Sequence, residues 1–198
     1  MFAPVASIDE EFKNISGTPG IEGVGLLTRL PFRNLSEHYY LGAHHPIPSF
    51  VLGDMTSVNR VLVTATVTKD DADYTVGTTH FTWTPNGETN DDQRRDIGLL
   101  FKVLDKIPEI ILIGDLNAPR GGETWAAFAA RYKDNIPIKY KSSLDSNISK
   151  FGDKVKVMVD GFFTTPEYLV KNVELIPGIS DHCAITGNVW RPRSQFEK

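Results

Sequence analysis

The chain has 198 residues, enough for a single domain with a substantial hydrophobic core. Its net charge of −4 argues against a protein that coats nucleic acid over its whole surface, although a local basic groove stays compatible with it. One cysteine, Cys183, excludes an intramolecular disulfide framework and a cysteine-rich zinc site. Because long apolar stretches and a signal-peptide pattern are absent, the sequence predicts a soluble cytoplasmic protein without membrane insertion.

The first half of the chain predicts paired strands after an irregular beginning. Residues 1–22 are polar and interrupted by glycine and proline, so we expect an irregular lead-in. Short strands over 23–29 and 38–42 and a proline-rich loop over 44–57 follow. The alternation of valine and alanine with other residues over 60–68 predicts the clearest strand, which pairs with 74–81 as a hairpin.

Helices and strands alternate in the second half. Thr89 or Asn90 can cap a helix with apolar residues at helical spacing, and Pro108 ends it. The uniformly apolar segment 109–114 predicts a strand buried on both faces. A short helix over 124–132, strands over 154–164, 172–176 and 184–190, and a tail over 191–198 complete the chain. The pattern predicts one α/β domain over residues 1–198, not a helical bundle.

Polar residues follow an apolar run at the end of the strand over 109–114. Asp115 and Asn117 lie two positions apart, and on extended backbone such residues point the same way. A carboxylate and a carboxamide would then face one spot. The alternative is an Asp/Asn turn that satisfies its own backbone.

Two further groups lie at strand ends later in the chain. Asp181 and His182 precede the last strand, and a neutral imidazole can accept a proton from water near pH 7. Asp160 follows valines and is costly to bury unless it is paired, for which His182 is a candidate. The alternatives are a surface loop pair and an exposed aspartate at a bulge marked by Gly161. His80 ends the hairpin strand, where a lone histidine is more often structural.

Together these groups suit a hard cation and a phosphate ester. Oxygen ligands favour Mg²⁺ or Mn²⁺ over zinc. The sequence has no Gly-x-Ser-x-Gly elbow, no GxxxxGK[ST] loop and no HExxH motif, which argues against a serine hydrolase, a P-loop NTPase and a zinc protease of that type.

An ordered set of motifs resembles the endonuclease/exonuclease/phosphatase superfamily, the DNase I-like group of metal-dependent phosphoesterases. The motifs are GVGLLTRLP over 23–31, Thr79-His80-Phe81, Gly114-Asp115-Leu116-Asn117, Val159-Asp160 and Ser180-Asp181-His182. The resemblance runs from about residue 23 to residue 189. It implies a four-layer α/β/β/α sandwich with the site at one end of two packed sheets.

The resemblance also implies a role for each matching residue. His182 is expected to act as general base and acid beside the attacking water, and Asp160 to orient its imidazole. Asp115 is expected to orient or deprotonate the water. Asn117 would contact the scissile phosphate and His80 would stabilise it in the transition state. The expected ligands of Mg²⁺ or Mn²⁺ are Asp115, Asn117 and Asp181, the last at or near the metal.

The sequence departs from the family pattern at its beginning. Family members open with two strands that end in Asn or Asp and in Gln-Glu, and this Glu is a principal metal ligand. Neither strand is found in this sequence. We therefore expect an incomplete metal site and a sheet without its central strands, whose unpaired edges favour association.

The substrate expected from the resemblance is a phosphodiester or phosphomonoester. Nucleic acid is the first candidate class, and phospholipids or inositol phosphates are the second. Arg120 follows Asn117 closely and is expected to bind substrate phosphate. Trp83 lies near His80 and would stack on a base or pack at the rim of the site. The alternative is a non-catalytic remnant of the fold that binds phosphate-bearing partners.

Overall fold

The computed structural model describes residues 1–9, 20–54 and 57–192. In these residues the helices and strands are β1 Phe2–Ile8, β2 Gly20–Gly25, β3 Phe32–Leu41, β4 Arg60–Lys69, β5 Ala72–Thr79, α1 Asp91–Leu104, β6 Ile111–Asp115, α2 Glu123–Ala129, β7 Lys133–Asp134, β8 Asp160–Thr164, β9 Leu169–Ile176 and β10 Ala184–Trp190. Single 3₁₀ turns occupy Pro85–Gly87 and Gly152–Lys154.

Six strands form the central sheet, in the order β3-β4-β5-β6-β8-β7. Strands β5 and β6 are parallel and α1 lies between them in sequence, whereas the other neighbours are antiparallel. Strand β4 shows how the sheet is buried on both faces. Leu62 packs into the helix-side core, while Val61 and Val63 pack on the opposite side, as the alternation predicts.

Both helices cover one face of this sheet. Leu100 and Leu104 of α1 and Phe128 of α2 pack with Leu112 and Phe163 of the sheet, and all five are almost fully buried. The helix α1 is capped as predicted, because the side chain of Asn90 accepts a hydrogen bond from the backbone N–H of Gln93 at 3.0 Å.

The opposite face carries two separate hairpins, β1–β2 and β9–β10. Ala3, Val5 and Val24 of the first hairpin pack on Val61 and Val63 of β4. A groove of about 530 Å³ lies over the central sheet, between the segment that follows β2 and strand β10, and we call it the inter-hairpin groove. Its lining is mostly apolar and includes Leu26, Leu27, Leu30, Val67, Ile111, Ile113, Phe162, Ile185 and Val189. In the described residues the second layer thus consists of two separate pairs of strands.

The α/β sandwich is confirmed in its architecture. The described residues form one helical layer, the six-stranded sheet and the two hairpins, and they contain no helix outside the hairpins. The outer helical layer of the four-layer expectation is therefore not found among them. No helix in the described ranges has the length and apolar character needed to cross a membrane.

The structure corrects several predictions of the strand pattern: the strand predicted over 23–29 lies at Gly20–Gly25, and the short one predicted over 38–42 is the ten-residue β3. The lead-in is not irregular over 2–8, because β1 pairs with β2 and buries Ala3 and Ala6 completely. The strand predicted over 154–164 begins only at Asp160. Before it, the backbone of Met158 and Val159 bonds to loop residues instead of a neighbouring strand. Residues 10–19 of the lead-in and 193–198 of the tail lie outside the described ranges.

Candidate active site

The end of β6 places Asp115 and Asn117 beside the end of β5. Gly114 has φ 151°, and a Cβ on it would lie 2.1 Å from the carbonyl oxygen of Thr79, so only glycine allows the strands this close approach. The Phe81 N–H donates to the Asp115 carbonyl at 2.8 Å, and Nδ2 of Asn117 donates to the Phe81 carbonyl at 2.8 Å.

The turn after β6 satisfies its own backbone as well. The Asn117 N–H donates to Oδ1 of Asp115 at 2.7 Å, as in the Asp/Asn turn considered from the sequence. Oδ2 of Asp115 lies 3.6 Å from Nε2 of His80, which is beyond hydrogen-bond distance. One carboxylate oxygen therefore fixes the turn, and the other faces the histidine that follows β5.

Asp160 and His182 form the pair expected from the cost of burying a lone aspartate. Nδ1 of His182 lies 2.7 Å from Oδ2 of Asp160, and both side chains are partly buried. Asp160 is the cross-strand partner of Asp115. One ligand atom from each of Asp115, Asp160 and His182 can be chosen so that all lie within 4.8 Å of one another. Two strands of the central sheet and the segment before β10 thus meet at one point.

Burial and neighbouring groups shift the pKa values of three residues of the site. Desolvation and the charge of Arg60 lower the pKa of His80 to about 4. Desolvation and the neighbouring carboxylate of Asp160 raise the pKa of Asp115 to about 7. The hydrogen bond and charge of Asp160 raise the pKa of His182 to about 9. Two carboxylates that face each other across adjacent strands repel, so the cluster favours an added positive charge.

This arrangement fits a hard divalent cation by the chemistry of its donors. Asp115 supplies a carboxylate, and Asn117 keeps its amide oxygen because its amide nitrogen is bonded to Phe81. Asp181 is exposed beside His182. Mg²⁺ takes oxygen ligands and keeps several waters, so a few protein oxygens suffice. Of the compact cluster, Asp160 was expected as the partner of His182 and not as a ligand, and its bond to the imidazole agrees with that role.

Ser143 is a positioning residue that the sequence did not reveal. Its Oγ accepts the N–H groups of Val159 at 3.1 Å and Asp160 at 3.2 Å, and its side chain is fully buried. Its carbonyl accepts the N–H of Cys183 at 2.8 Å. One residue therefore holds the backbone of both Asp160 and the neighbour of His182. It lies in a polar stretch with no motif, where no sequence signal marks it.

Gln93 of α1 fixes two loops of the site in the same way. Its Nε2 donates to the carbonyls of Thr82 at 2.7 Å and Asn117 at 3.1 Å, and its Oε1 accepts from Thr124 at 2.9 Å. Gln93 is completely buried. The loops after β5 and β6, which carry Trp83 and Asn117, are thereby tied to the helical layer.

A cleft of about 610 Å³ opens next to His182, and we call it the site cleft. Among its lining residues are Trp83, Asn117, Lys150, Phe151, Asp181 and His182. Val155, Val157 and Val159 also line it, so the common face predicted for them exists although they are not in a strand. Trp83 lines the same cleft, and its contact with substrate stays a prediction.

Arg120 is held by residues that lie outside the lining of the site cleft. Its guanidinium pairs with Asp134 at 3.0 Å, donates to the Ile136 carbonyl at 2.9 Å, and lies over the ring of Trp125 at 5.2 Å. Long-range pairing with the segment after α2 therefore holds the Arg120 side chain outside the lining of the site cleft, and its contact with substrate phosphate stays a prediction.

The comparisons with known proteins identify the fold. An endonuclease/exonuclease/phosphatase family protein from Leptotrichia buccalis is 21% identical with a TM-score of 0.66, over 96% of this chain and 70% of that chain. An endonuclease/exonuclease/phosphatase from Bacteroides vulgatus is 14% identical with a TM-score of 0.60, over 81% of this chain and 67% of that chain. A mannosyl-6-phosphatase from Bacteroides thetaiotaomicron is 13% identical with a TM-score of 0.53, over 80% of this chain and 67% of that chain. No family profile and no curated protein matches the sequence.

These likenesses show that the chain has the fold of the endonuclease/exonuclease/phosphatase superfamily. The resemblance stated from the sequence motifs is thereby confirmed for the fold. The roles of the individual residues rest on the geometry of the site and are proposals.

Proposed function

We propose that the protein hydrolyses phosphate esters in the site cleft by activating water at the Asp160–His182 pair. The observation that carries this proposal is the convergence of Asp115, Asp160 and His182 within 4.8 Å at an open cleft. The fold supports it, because one neighbour with this fold is itself a mannosyl-6-phosphatase.

His182 and Asp160 would manage the proton of the attacking water. With Nδ1 bonded to Asp160 at 2.7 Å, the imidazole has one ring nitrogen left, Nε2, to exchange a proton with water or the leaving group. The carboxylate fixes the ring orientation and raises the pKa of the imidazole to about 9, so His182 carries a proton at neutral pH. In the proposed reaction it would give this proton to the leaving group as general acid, and it would act as general base in the fraction that is deprotonated as the pH approaches 9.

Asp115, Asn117 and His80 would act on the water and the phosphate. Asp115 lies opposite Asp160 and can orient the attacking water, and Nε2 of His80, 3.6 Å from Asp115, can donate a hydrogen bond to a phosphate oxygen. Asn117 would contact the phosphate with the second N–H of its amide, beside the one that is bonded to Phe81. Asp115, Asn117 and Asp181 would hold Mg²⁺ or Mn²⁺. When bound, such a cation neutralises phosphate charge and makes water a better nucleophile. The proposed substrate is a phosphodiester, and nucleic acid is the first candidate for it.

Hydrolysis of p-nitrophenyl phosphate and bis-p-nitrophenyl phosphate with Mg²⁺ and with EDTA tests the proposal. We expect turnover that EDTA abolishes, and a loss of about 10²–10⁴-fold in kcat in Asp115→Asn and His182→Ala. Asp91→Asn is the matched control, since Asp91 is a fully exposed carboxylate on α1 and should leave kcat unchanged.

Two results would count against catalysis. Turnover that survives both substitutions would place the reaction elsewhere. A folded protein that binds inorganic phosphate but hydrolyses neither ester would instead support the non-catalytic reading, in which the fold binds phosphate-bearing partners without chemistry.

A further inference from the structure

We propose that the site cleft binds the aromatic ring of a phosphate ester, as a nucleotide presents it, between Trp83 and Phe151. This inference rests on the proposed function, because it names the organic part of the ester whose phosphate lies at His182. Both aromatic residues line the site cleft together with Asn117 and His182.

The exposure of these two rings is the first observation. Trp83 is 48% exposed and Phe151 is 46% exposed, although each lies on the wall of a concave site. Exposed aromatic faces beside polar catalytic groups are typical of surfaces that stack on planar ligands. The cleft volume of about 610 Å³ lies within the range of sites for small organic ligands.

The loop that carries Trp83 is fixed from both sides of the tryptophan. The hydroxyl of Thr82 donates to Asp96 at 2.6 Å, and the Thr82 carbonyl accepts from Gln93 at 2.7 Å. On the other side, the Gly87 N–H donates to the Thr84 carbonyl at 3.2 Å. Trp83 is therefore presented on an anchored segment, so that little ordering is needed when a ligand binds.

The loop that carries Phe151 is anchored by a buried aspartate. Asp145 is 3% exposed, and its carboxylate accepts the N–H groups of Asn147 at 2.9 Å and Gly178 at 2.6 Å. The hydroxyl of Ser149 accepts the Phe151 N–H at 3.3 Å. The second aromatic wall is thus also carried on a segment that backbone hydrogen bonds hold in place.

The chemistry of the remaining lining favours a flat ring over a sugar. Beyond the catalytic end, the walls consist mainly of apolar side chains such as Leu144, Val155 and Val157. A polyhydroxylated ligand needs a hydrogen-bond partner for most of its hydroxyl groups, and unpaired ones are costly to bury. Lys150 lies with Nζ 5.3 Å from the centre of the Phe151 ring and adds a cation beside that wall.

Isothermal titration with AMP and with ribose 5-phosphate tests the inference, since ribose 5-phosphate has a hydroxyl group at the carbon where AMP has adenine. The measurement is made with Mg²⁺ in the His182→Ala background, which the proposed function makes inactive, because without a cation the facing carboxylates of Asp115 and Asp160 would repel the phosphate. We expect AMP to bind roughly ten- to hundredfold more tightly, the effect of stacking one base. Trp83→Ala and Phe151→Ala should each remove much of this preference and leave the affinity for ribose 5-phosphate unchanged.

Ile138→Ala is the control, because Ile138 is 73% exposed and lies outside the lining of the site cleft. It should keep the preference for AMP. If AMP binds no more tightly than ribose 5-phosphate, or if neither binds, the inference is overturned. A preference that survives both aromatic substitutions overturns it as well, because the base then binds elsewhere.

The two proposals fail in different ways. If p-nitrophenyl esters are hydrolysed but the protein binds AMP no more tightly than ribose 5-phosphate, the catalytic proposal is kept and the proposed aromatic binding site is rejected. If AMP is preferred through Trp83 and Phe151 but no ester is hydrolysed, the cleft binds nucleotides without the proposed chemistry.

Discussion

The two β layers of this molecule are built differently, and residues from both layers form the candidate site. The six-stranded sheet is buried on two faces and carries Asp115 and Asp160 on directly opposed positions. The other layer consists of two hairpins with the inter-hairpin groove between them, and the chain just before β10 supplies His182. The Asp160–His182 bond therefore joins a continuous layer to a divided one. The comparison teaches that the rigidity of the site depends on a few polar links between the layers.

Truncating one large side chain in each layer gives the largest expected contrast. Phe163 of β8 is fully buried, with its ring 5.2 Å from Trp125 and 5.6 Å from Phe128. Phe163→Ala should lower the free energy of unfolding by about 3–5 kcal/mol. Ile185→Ala in β10 removes a half-buried side chain on the inter-hairpin groove and should cost about 1 kcal/mol.

Urea unfolding of both variants beside the wild type measures this contrast. Equal losses would contradict it, because they would mean that the β9–β10 hairpin is packed as tightly as the central sheet.

The hydrogen bond between Asp160 and His182, which joins the two layers, should be visible in the titration of His182. In EDTA, we expect its imidazole to titrate with a pKa of about 9 by NMR, against an ordinary value of 6.5. In Asp160→Asn the pKa should fall by more than one unit, because the hydrogen bond to Asp160 is the largest cause of the shift. An unchanged titration would show that Asp160 does not hold the ring in solution.

The same shift predicts a pH dependence of stability. A raised folded-state pKa contributes stability that is complete below pH 6.5 and is lost as the pH rises through about 9. Between pH 7.5 and 10, Asp115 is already past its own pKa of about 7, so His182 dominates this cluster. The wild type should lose up to about 2 kcal/mol more than Asp160→Asn over this interval.

Ser143→Ala should have an intermediate effect, because it removes the acceptor of two buried N–H groups. We expect a loss of about 1–3 kcal/mol in the free energy of unfolding. Since the two N–H groups belong to Val159 and Asp160, kcat should also fall, by roughly tenfold. The control is Ser142→Ala, which changes a partly buried serine that bonds only to Leu144 in the described contacts.

An effect of Ser143→Ala on stability without any effect on kcat would contradict the positioning role. Rescue by Ser143→Thr, which keeps the hydroxyl acceptor, would support it if the added methyl group is tolerated.

Much of the fold was predictable because local patterns and tertiary structure agree there. The alternation in β4, the capped helix α1 and the apolar strand β6 each satisfy the periodicity of a buried element. Strand β1 was missed because its pairing is long-range, with β2 and with the face of β4, and Pro4 obscures the strand pattern. The start of β8 was predicted too early, because the backbone of residues 157–159 bonds to loops and not to a neighbouring strand.

The site was predictable where chemistry restricts the choice. A buried Asp160 needs a partner, and His182 provides it at 2.7 Å. Arg120 and Ser143 show the limit, since the partners that decide their roles are distant in sequence or belong to the backbone. A lone arginine in a glycine-rich loop gives no sign that Asp134 holds it.

Leu27→Ser should have the smallest effect and tests the inter-hairpin groove directly. Leu27 lines the groove but is completely exposed, so replacing it removes no buried area and should change the free energy of unfolding by less than about 0.5 kcal/mol. Leu62→Ser, at a fully buried position of β4, is the contrasting variant and should be strongly destabilising. A loss above about 1 kcal/mol in Leu27→Ser would mean that this side chain is covered in solution, and that the groove is filled when the protein is folded.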